Sequence, residues 1–410
     1  MSLSSFIARR IAFNRQHSFS RFIIRLAVAA TAISVMAMIL TIAFTQGFQD
    51  AIAQKMYGFS GHIRVQHYEP EKAENSEEQP IAANDTVLQT LRSDPDVLIA
   101  QPFATKYAIV KGPESFEGQL LKGVDKNYDF HHLQGFLKSG RWISFPDSAY
   151  SSEINLSSYT ADQLNLHTGD KLFSYFIQPD GSYRVRPMKV AGIFKTGIED
   201  YDRTNAIVDI RLIQRLNNWK PNEIGGYELF IKDYRMADSI SNRIYFTLPA
   251  GWNSLSINEI YGNIFDWINL FDTNVAIIII IMALVAILNL VTCLIILLLE
   301  RTHMIGLLKS LGSPDRTIQR VFVFHGAMIT VGGILLGNVL GLLICWLQQR
   351  YGFITLPEDT YFISAAVVKI SWLQVMLVNL GTFLICFSVL LIPSFLMIRK
   401  MSPVNALRFD

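Results

Sequence analysis

Hydrophobic positions along the chain gather into four long runs and one large alternating stretch. The runs are Leu26–Phe44, Val275–Leu299, Phe322–Leu347 and Trp372–Ile398. A helix needs about 20 apolar residues to cross the hydrocarbon of a bilayer, so each run predicts a membrane span. Past Phe44 the apolar positions continue at Phe48, Ile52 and Met56, one helical face on a more polar background. This predicts a stalk over Gln49–Tyr57 that Gly58 ends. Asn258–Phe271 repeats the pattern, with Ile260, Ile264, Trp267, Ile268 and Phe271 on one face.

Between the stalks, from Gly61 to about Asp272, the chain is polar and its periodicity falls to two. Strands are expected at His62–Gln66, Lys106–Lys111, Gln119–Val124, Lys171–Ile177, Arg184–Phe194, Asn205–Asp209 and Glu228–Ile231. Pro179-Asp180-Gly181 is a turn signal, so Lys171–Pro187 reads as a hairpin. Short helices are expected at Thr86–Arg92, Ser158–Leu164, Ile210–Asn217 and Arg235–Leu248. Strand runs broken by short helices imply an α+β domain of two lobes. Glu69–Gln79 is an acidic connector.

Glu300–Arg320 separates the second and third spans. Leu299, Ile305, Leu308 and Leu311 fall near one helical face, and Gly312 stands where a helix would stop. Ser313-Pro314 reads as a fresh start, with Ser313 as N-cap and Pro314 in the first helical position. A short amphipathic helix between spans offers a soluble partner a rigid knob, or simply rests on the membrane surface.

Half of the residues are hydrophobic and the mean hydropathy is positive, a combination that soluble domains of 410 residues rarely reach. The net charge of +2 leaves no nucleic-acid footprint. Cys293, Cys345 and Cys386 all lie in apolar runs, so there is neither a disulfide framework nor zinc spacing. Residues 1–25 hold Arg9, Arg10, Arg15, Arg21 and Arg25 and no acid. With Leu3, Phe6, Ile7 and Ile11 on one face they predict an interfacial helix held by membrane lipids. The positive-inside rule puts that helix, the connector and the basic C-terminus in the cytoplasm, and the large domain outside.

The spans carry few polar points. Asn289 suits an interhelical hydrogen bond, and Gly333, Gly337 and Gly341 make two small-xxx-small steps that admit a close neighbouring helix. No Gly-Lys dipeptide exists, so the chain has no phosphate cradle, and ATP, if used, is bound by another chain. His131-His132 point in different directions and lack an acidic co-ligand. Asp200-Tyr201-Asp202 reads as exposed turn acids. No catalytic, cofactor-binding or metal-binding residue is predicted, and the chain reads as non-catalytic.

The layout of one span, a large outer domain and then three spans resembles the LolC/LolE lipoprotein-releasing permeases within the MacB/FtsX class of ABC transporters. The matching segments are Phe6-Ile-Ala-Arg-Arg10, Gly47-Phe48, Leu121-Lys-Gly-Val-Asp125, Leu164–Asp170, Val190–Gly197 followed by Asp202, Glu300-Arg301, Ile305-Gly306, Lys309, Leu311-Gly312, Gly326 with the three third-span glycines, Pro393 and Pro403–Arg408. The resemblance implies an α-helical membrane protein with four transmembrane helices. A large α+β periplasmic domain, a MacB-like periplasmic core, is inserted between the first and second spans.

Expected boundaries are 1–25 interfacial helix, 26–57 first span and stalk, 58–257 two-lobed domain, 258–299 stalk and second span, 300–320 coupling helix and 321–410 the last spans and tail. An FtsX-like permease domain is expected over 274–405. Glu300, Arg301, Met304, Ile305, Gly306, Leu308, Lys309, Leu311 and Gly312 would then couple to a LolD-like ABC ATPase subunit. A second permease copy would complete a homodimer or a LolC/LolE-like heterodimer in the bacterial inner membrane.

The implied substrate is an acylated lipoprotein, extracted by mechanotransmission and passed to a periplasmic carrier. Gln178, Pro179, Asp180, Gly181 and Tyr183 occupy the place of the family's carrier hook, here short. The alternatives are a MacB-like efflux permease for peptides or drugs and, from another functional class, a non-transporting FtsX-like transmitter that activates a wall hydrolase.

Overall fold

The computed structural model describes residues 18–69, 78–147, 149–178, 181–357, 361 and 363–400. Residues 1–17 of the interfacial helix expected over 1–25, most of the acidic connector, Pro179, Asp180 and the tail motif Pro403–Arg408 lie outside the described residues, and residues 18–25 are continuous with the first long helix. Two compact units form. One comprises Met1–Gln49, Ile268–Thr355 and Ala365–Asp410; the other comprises Asp50–Trp267 and Leu356–Ser364.

Helix α1 (Ser18–Ser60) joins the first apolar run to its stalk without a break. Gly58 does not end it, contrary to the sequence expectation. Gly58 lies against the His132 carbonyl and the Phe136 ring, where a side chain would not fit comfortably. The turn falls instead at Gly61, whose φ is +73°, a conformation that glycine takes without strain. Strand β1 (Ile63–His67) follows at once.

The outer unit continues with β2 (Ile81–Ala82), α2 (Asp85–Ser93), β3 (Val97–Lys111), β4 (Phe116–Val124), β5 (Leu137–Gly140), β6 (Glu153–Ser157), α3 (Ser158–Gln163), β7 (Lys171–Ile177) and β8 (Tyr183–Phe194). It closes with α4 (Glu199–Thr204), β9 (Asn205–Asp209), α5 (Ile210–Leu216), β10 (Glu223–Ile224), β11 (Gly226–Ile231), α6 (Ala237–Tyr245) and β12 (Trp252–Ser256). Ten strands form one sheet in the order β12-β1-β11-β3-β4-β9-β6-β8-β5, with β7 bridging β3 and β8. The β4/β9 and β6/β8 pairs are parallel and the other described pairs antiparallel. Alternation places Ile63, Val65, Leu121, Phe176 and Val190 in one continuous core.

The Lys171–Pro187 hairpin is present, with Ile177 opposite Tyr183. Short strands β5, β6 and β12 were absent from the sequence expectation. Asp200-Tyr201-Asp202 corrects another expectation, because these residues form helix α4 rather than an exposed turn. Asp202 is buried, and its carboxylate accepts hydrogen bonds from the Thr196 amide and hydroxyl and from the Gly197 amide, each 2.9 Å. It closes the loop after β8 rather than facing solvent.

The second stalk is in two pieces. Helix α7 (Ile257–Ile260) carries a capping box between Ser256 and Glu259, and stops at Tyr261. Helix α8 (Gly262–Glu300) then runs on through the second apolar run. Within the outer unit Ala53, Tyr57 and Ile257 form a small core with Tyr234, Ile260, Tyr261 and Phe265, and the Tyr57 hydroxyl donates to Asn258 at 2.7 Å.

Helices α9 (Thr302–Ser310), α10 (Asp315–Tyr351) and α11 (Trp372–Lys400) complete the other unit. Among the described residues four helices are long and apolar enough to cross a membrane: α1, α8, α10 and α11. Ile280, Leu284, Leu335, Val339, Leu373 and Leu377 lie exposed on them, a surface that suits hydrocarbon and not water.

Candidate functional site

Helix α9 is held between two bends. Arg301 leaves helical geometry, so α8 and α9 are separate helices. At the other end the Gly312 amide donates to the Lys309 carbonyl and the Ser313 amide to Leu308, a Schellman close with Gly312 at φ +83°. The expected restart shifts by one residue: Pro314 is the N-cap, Asp315 is the first helical residue, and no side chain caps the end. Lys309 forms an ion pair with Asp315 across this bend at 2.9 Å.

The bend after Glu300 splits the face expected for Leu299, Ile305, Leu308 and Leu311. Ile305 is 0% exposed, in a core with Leu294, Leu298, Ile318, Phe322 and Leu390. Gly306 is buried beside it, and Met304 and Leu308 are half-buried. Leu311 is 82% exposed and Leu299 also lies open. The outward face of α9 is therefore His303, Leu307, Ser310 and Leu311, at helical spacing i, i+4, i+7, i+8. His303 and Leu307 were not singled out from sequence. The signal was there, because every leucine not needed by the inner face falls on this outer one. Glu300 is exposed, while Arg301 is half-buried with its Nε lacking a hydrogen-bond partner among the described residues.

The third-span glycines meet α1. A Cβ at Gly333 would lie 2.6 Å from the Thr31 Cβ, and one at Gly337 would lie 2.7 Å from the Ala32 carbonyl oxygen. Gly341 is looser, with its nearest neighbours at 3.5 Å on Ile39 and Met36. Asn289 donates to the Ala27 carbonyl at 3.1 Å, so α8 also reaches α1. Asn338 and Asn379 exchange amide hydrogen bonds of 2.8 and 3.0 Å between α10 and α11. Beside these contacts α1, α8 and α11 leave an apolar slot of about 390 Å³. Met38, Ile42, Ile279 and Leu377 line its body, and Thr45, Gln46, Asp272 and Gln374 add polar groups.

In the outer unit the hairpin tip is tight. The Gln178 amide donates to Ser182 and the Gly181 amide to Gln178, with Gly181 at φ +79°. Gln178 is buried; Tyr183 is 70% exposed. Tyr183 continues an open apolar face formed by Ile177 and Phe173 on β7 and by Tyr107 and Ile109 on β3. His131 and His132 have ring centroids 6.1 Å apart, and His132 stacks on Phe230 at 4.3 Å. Among the described residues no cluster of His, Cys, Asp and Glu could hold a metal. Burial, helped by His132, pushes His62 down to about 4.

Residues 26–252 match the MacB-like periplasmic core domain, and residues 276–403 match the FtsX-like permease C-terminal domain. The lipoprotein-releasing system transmembrane protein LolC of Xylella fastidiosa strain Temecula1 is 23% identical over 417 residues, which cover 98% of this chain and 97% of that one. LolE of Haemophilus influenzae is 22% identical, covering 88% and 89%. The periplasmic region of MacB from Actinobacillus actinomycetemcomitans superposes with a TM-score of 0.36 at 14% identity, covering 51% of this chain and 95% of that structure. Four membrane-length helices with a MacB-like α+β core between the first and second, closed by FtsX-like helices, place the chain in its family: it belongs to the LolC/LolE-type ABC permeases of the MacB/FtsX superfamily.

Proposed function

We propose that this chain is the permease of an inner-membrane ABC transporter that releases lipoproteins, driven by ATP hydrolysis in a separate subunit. The observation that carries the reading is the outward apolar face of α9. Leu307 and Leu311 are exposed on a helix fixed at both ends and anchored from behind by Ile305. An apolar knob on a rigid support is what a docking groove recognises. The ATPase contact therefore centres on His303, Leu307 and Leu311. Ile305 and Gly306 act by holding the helix, and Met304, Leu308 and Lys309 seat it. Both termini and α9 lie on the cytoplasmic side and the outer unit in the periplasm.

The long relatives named lipoprotein-releasing proteins support the substrate. So does the apolar slot with polar groups at one side, which suits an acyl chain below a polar head. ATP-driven closure would move α9, and α1 and α8 would carry that movement to the outer unit. The short hairpin, with Tyr183 exposed beside Ile177, offers a periplasmic carrier a flat apolar face rather than a hook. A second permease copy completes the assembly.

The test is depletion of the chain from cells, with Leu311→Asp introduced in parallel. Depletion is expected to leave acylated lipoproteins in the inner membrane. Leu311→Asp is expected to do the same at normal chain level, since loss of one interface anchor costs about 2 kcal/mol of partner affinity. Normal outer-membrane lipoprotein after depletion removes the function; normal release by Leu311→Asp removes the coupling face.

A further inference from the structure

We infer that Lys122 is the positioning residue that fastens the end of α1 to the sheet of the outer unit. The last carbonyls of a helix have no partner within it. Here the Lys122 ammonium donates to the Phe59 carbonyl, in the final turn of α1. The same Nζ donates to Glu228 Oε2 at 2.7 Å and reaches the Tyr128 hydroxyl at 3.3 Å, so its three donors are all engaged. Lys122 stands on β4 and Glu228 on β11, and the two meet across β3. Their side chains are 3% and 0% exposed.

A buried ion pair is a poor source of stability, since an apolar pair of equal volume serves as well or better. What the pair supplies is direction. A cation held by Glu228 points a donor at a helix C-terminus, where positive charge is favoured. The rest of the connection is as stiff. Only Gly61 and His62 separate α1 from β1, the Ser60 hydroxyl bonds the Tyr201 hydroxyl at 2.8 Å, and the His62 amide donates to Leu229 at 2.8 Å.

Arg64 makes the idea testable. Its Nη2 lies 3.7 Å from Glu228 Oε1. Among the described residues that oxygen accepts no hydrogen bond, and Arg64 Nε donates none. A cavity of about 280 Å³ adjoins Arg64 and Lys122 and gives the guanidinium room to move. Lys122→Met therefore deletes the carbonyl cap while Arg64 remains to neutralise Glu228.

The experiment places spin labels at Gln54→Cys and Lys126→Cys, both exposed in the outer unit. The full chain is reconstituted in nanodiscs and distances are read by pulsed electron resonance. The parent is expected to give one narrow distribution. Lys122→Met should broaden it about twofold or more, as freeing a low-stability segment does. Lys122→Met/Glu228→Gln should broaden it equally, which covers the case in which the single variant fails to fold. Arg64→Met, which leaves the cap, should not.

A narrow distribution in either Lys122 variant overturns the inference, and so does equal broadening by Arg64→Met. A cellular arm rests on the transport reading: Lys122→Met at normal chain level should lower lipoprotein release roughly tenfold, and Arg64→Met should not. If Lys122→Met broadens the distances yet releases lipoprotein normally, the joint plays no part in transport. If the parent itself releases no lipoprotein, the transport reading falls, and the distance result alone decides the joint.

Discussion

Both units use glycine for close approach, but they differ in the polar groups that tie their elements together. In the unit that holds the membrane-length helices, Gly333 and Gly337 let α10 approach α1 closely, and the side-chain hydrogen bonds between its long helices come from neutral amides, Asn289 to the Ala27 carbonyl and Asn338 with Asn379. In the outer unit, charges are put in: Lys122, Glu228, Asp202 and Asp209 are buried and bonded. The difference follows from the solvent of each. Hydrocarbon penalises any charge without a partner, whereas a periplasmic domain folds from water, and its buried ions need only geometry that replaces their hydration.

The sharpest break of this comparison is Glu228→Ala. It strands Lys122 beside Arg64, and should cost about 3–5 kcal/mol of outer-unit stability. Urea unfolding of the full chain in detergent measures it, and a cost within error would mean that the buried charges are interchangeable with apolar packing. Gly337→Leu comes next. The new side chain meets the Ala32 carbonyl and should cost about 1–3 kcal/mol of helix association, while Gly341→Ala, with its nearest neighbours at 3.5 Å, should stay within about 0.5 kcal/mol. Gel filtration and thermal unfolding in detergent separate the two, and equal behaviour would remove the seam.

The smallest effect is a pH slope. His62 is held near 4 in the folded state, against an ordinary value near 6.5. Between those values the unfolded chain binds the proton and the folded one does not, so stability falls as pH drops from 6.5 towards 4. The loss is about 1–2 kcal/mol, allowing for partial exposure. His62→Asn should flatten the slope to what His132, also held low by burial, contributes. An unchanged slope would show that other groups set it.

Much of this was legible in the residues. The strand readings match β7 and β9 to the residue and β8 to within one, because β7 alternates between a buried and an open face, and β9 and the second half of β8 are buried apolar runs. Strands β5 and β12 escaped because Leu137–Gly140 and Trp252–Ser256 are short, polar and defined by their neighbours. Tertiary context also overrode Gly58, a helix breaker in isolation that is here a space-saver beside Phe136. On α9 the apolar residues fit two faces, Ile305 with Leu308 and Leu307 with Leu311. Periodicity finds both and does not say which one the other helices cover; the bend at Arg301 decides it. The joint at Lys122 was invisible for a simpler reason. Its partners, Phe59 and Glu228, lie far away in sequence and carry no local signature.

The two stalks differ in one respect that bears on any movement they share. Helix α1 reaches Ser60 in a single piece, and the other stalk is interrupted at Tyr261, where φ is −113° and ψ is 44°. A rod and a hinged strut under the same load do not deform alike: the strut flexes at its pin while the rod keeps its line. Under a common load, bending of the pair would fall first at Tyr261, and replacing that break by continuous helix would give two unbroken supports.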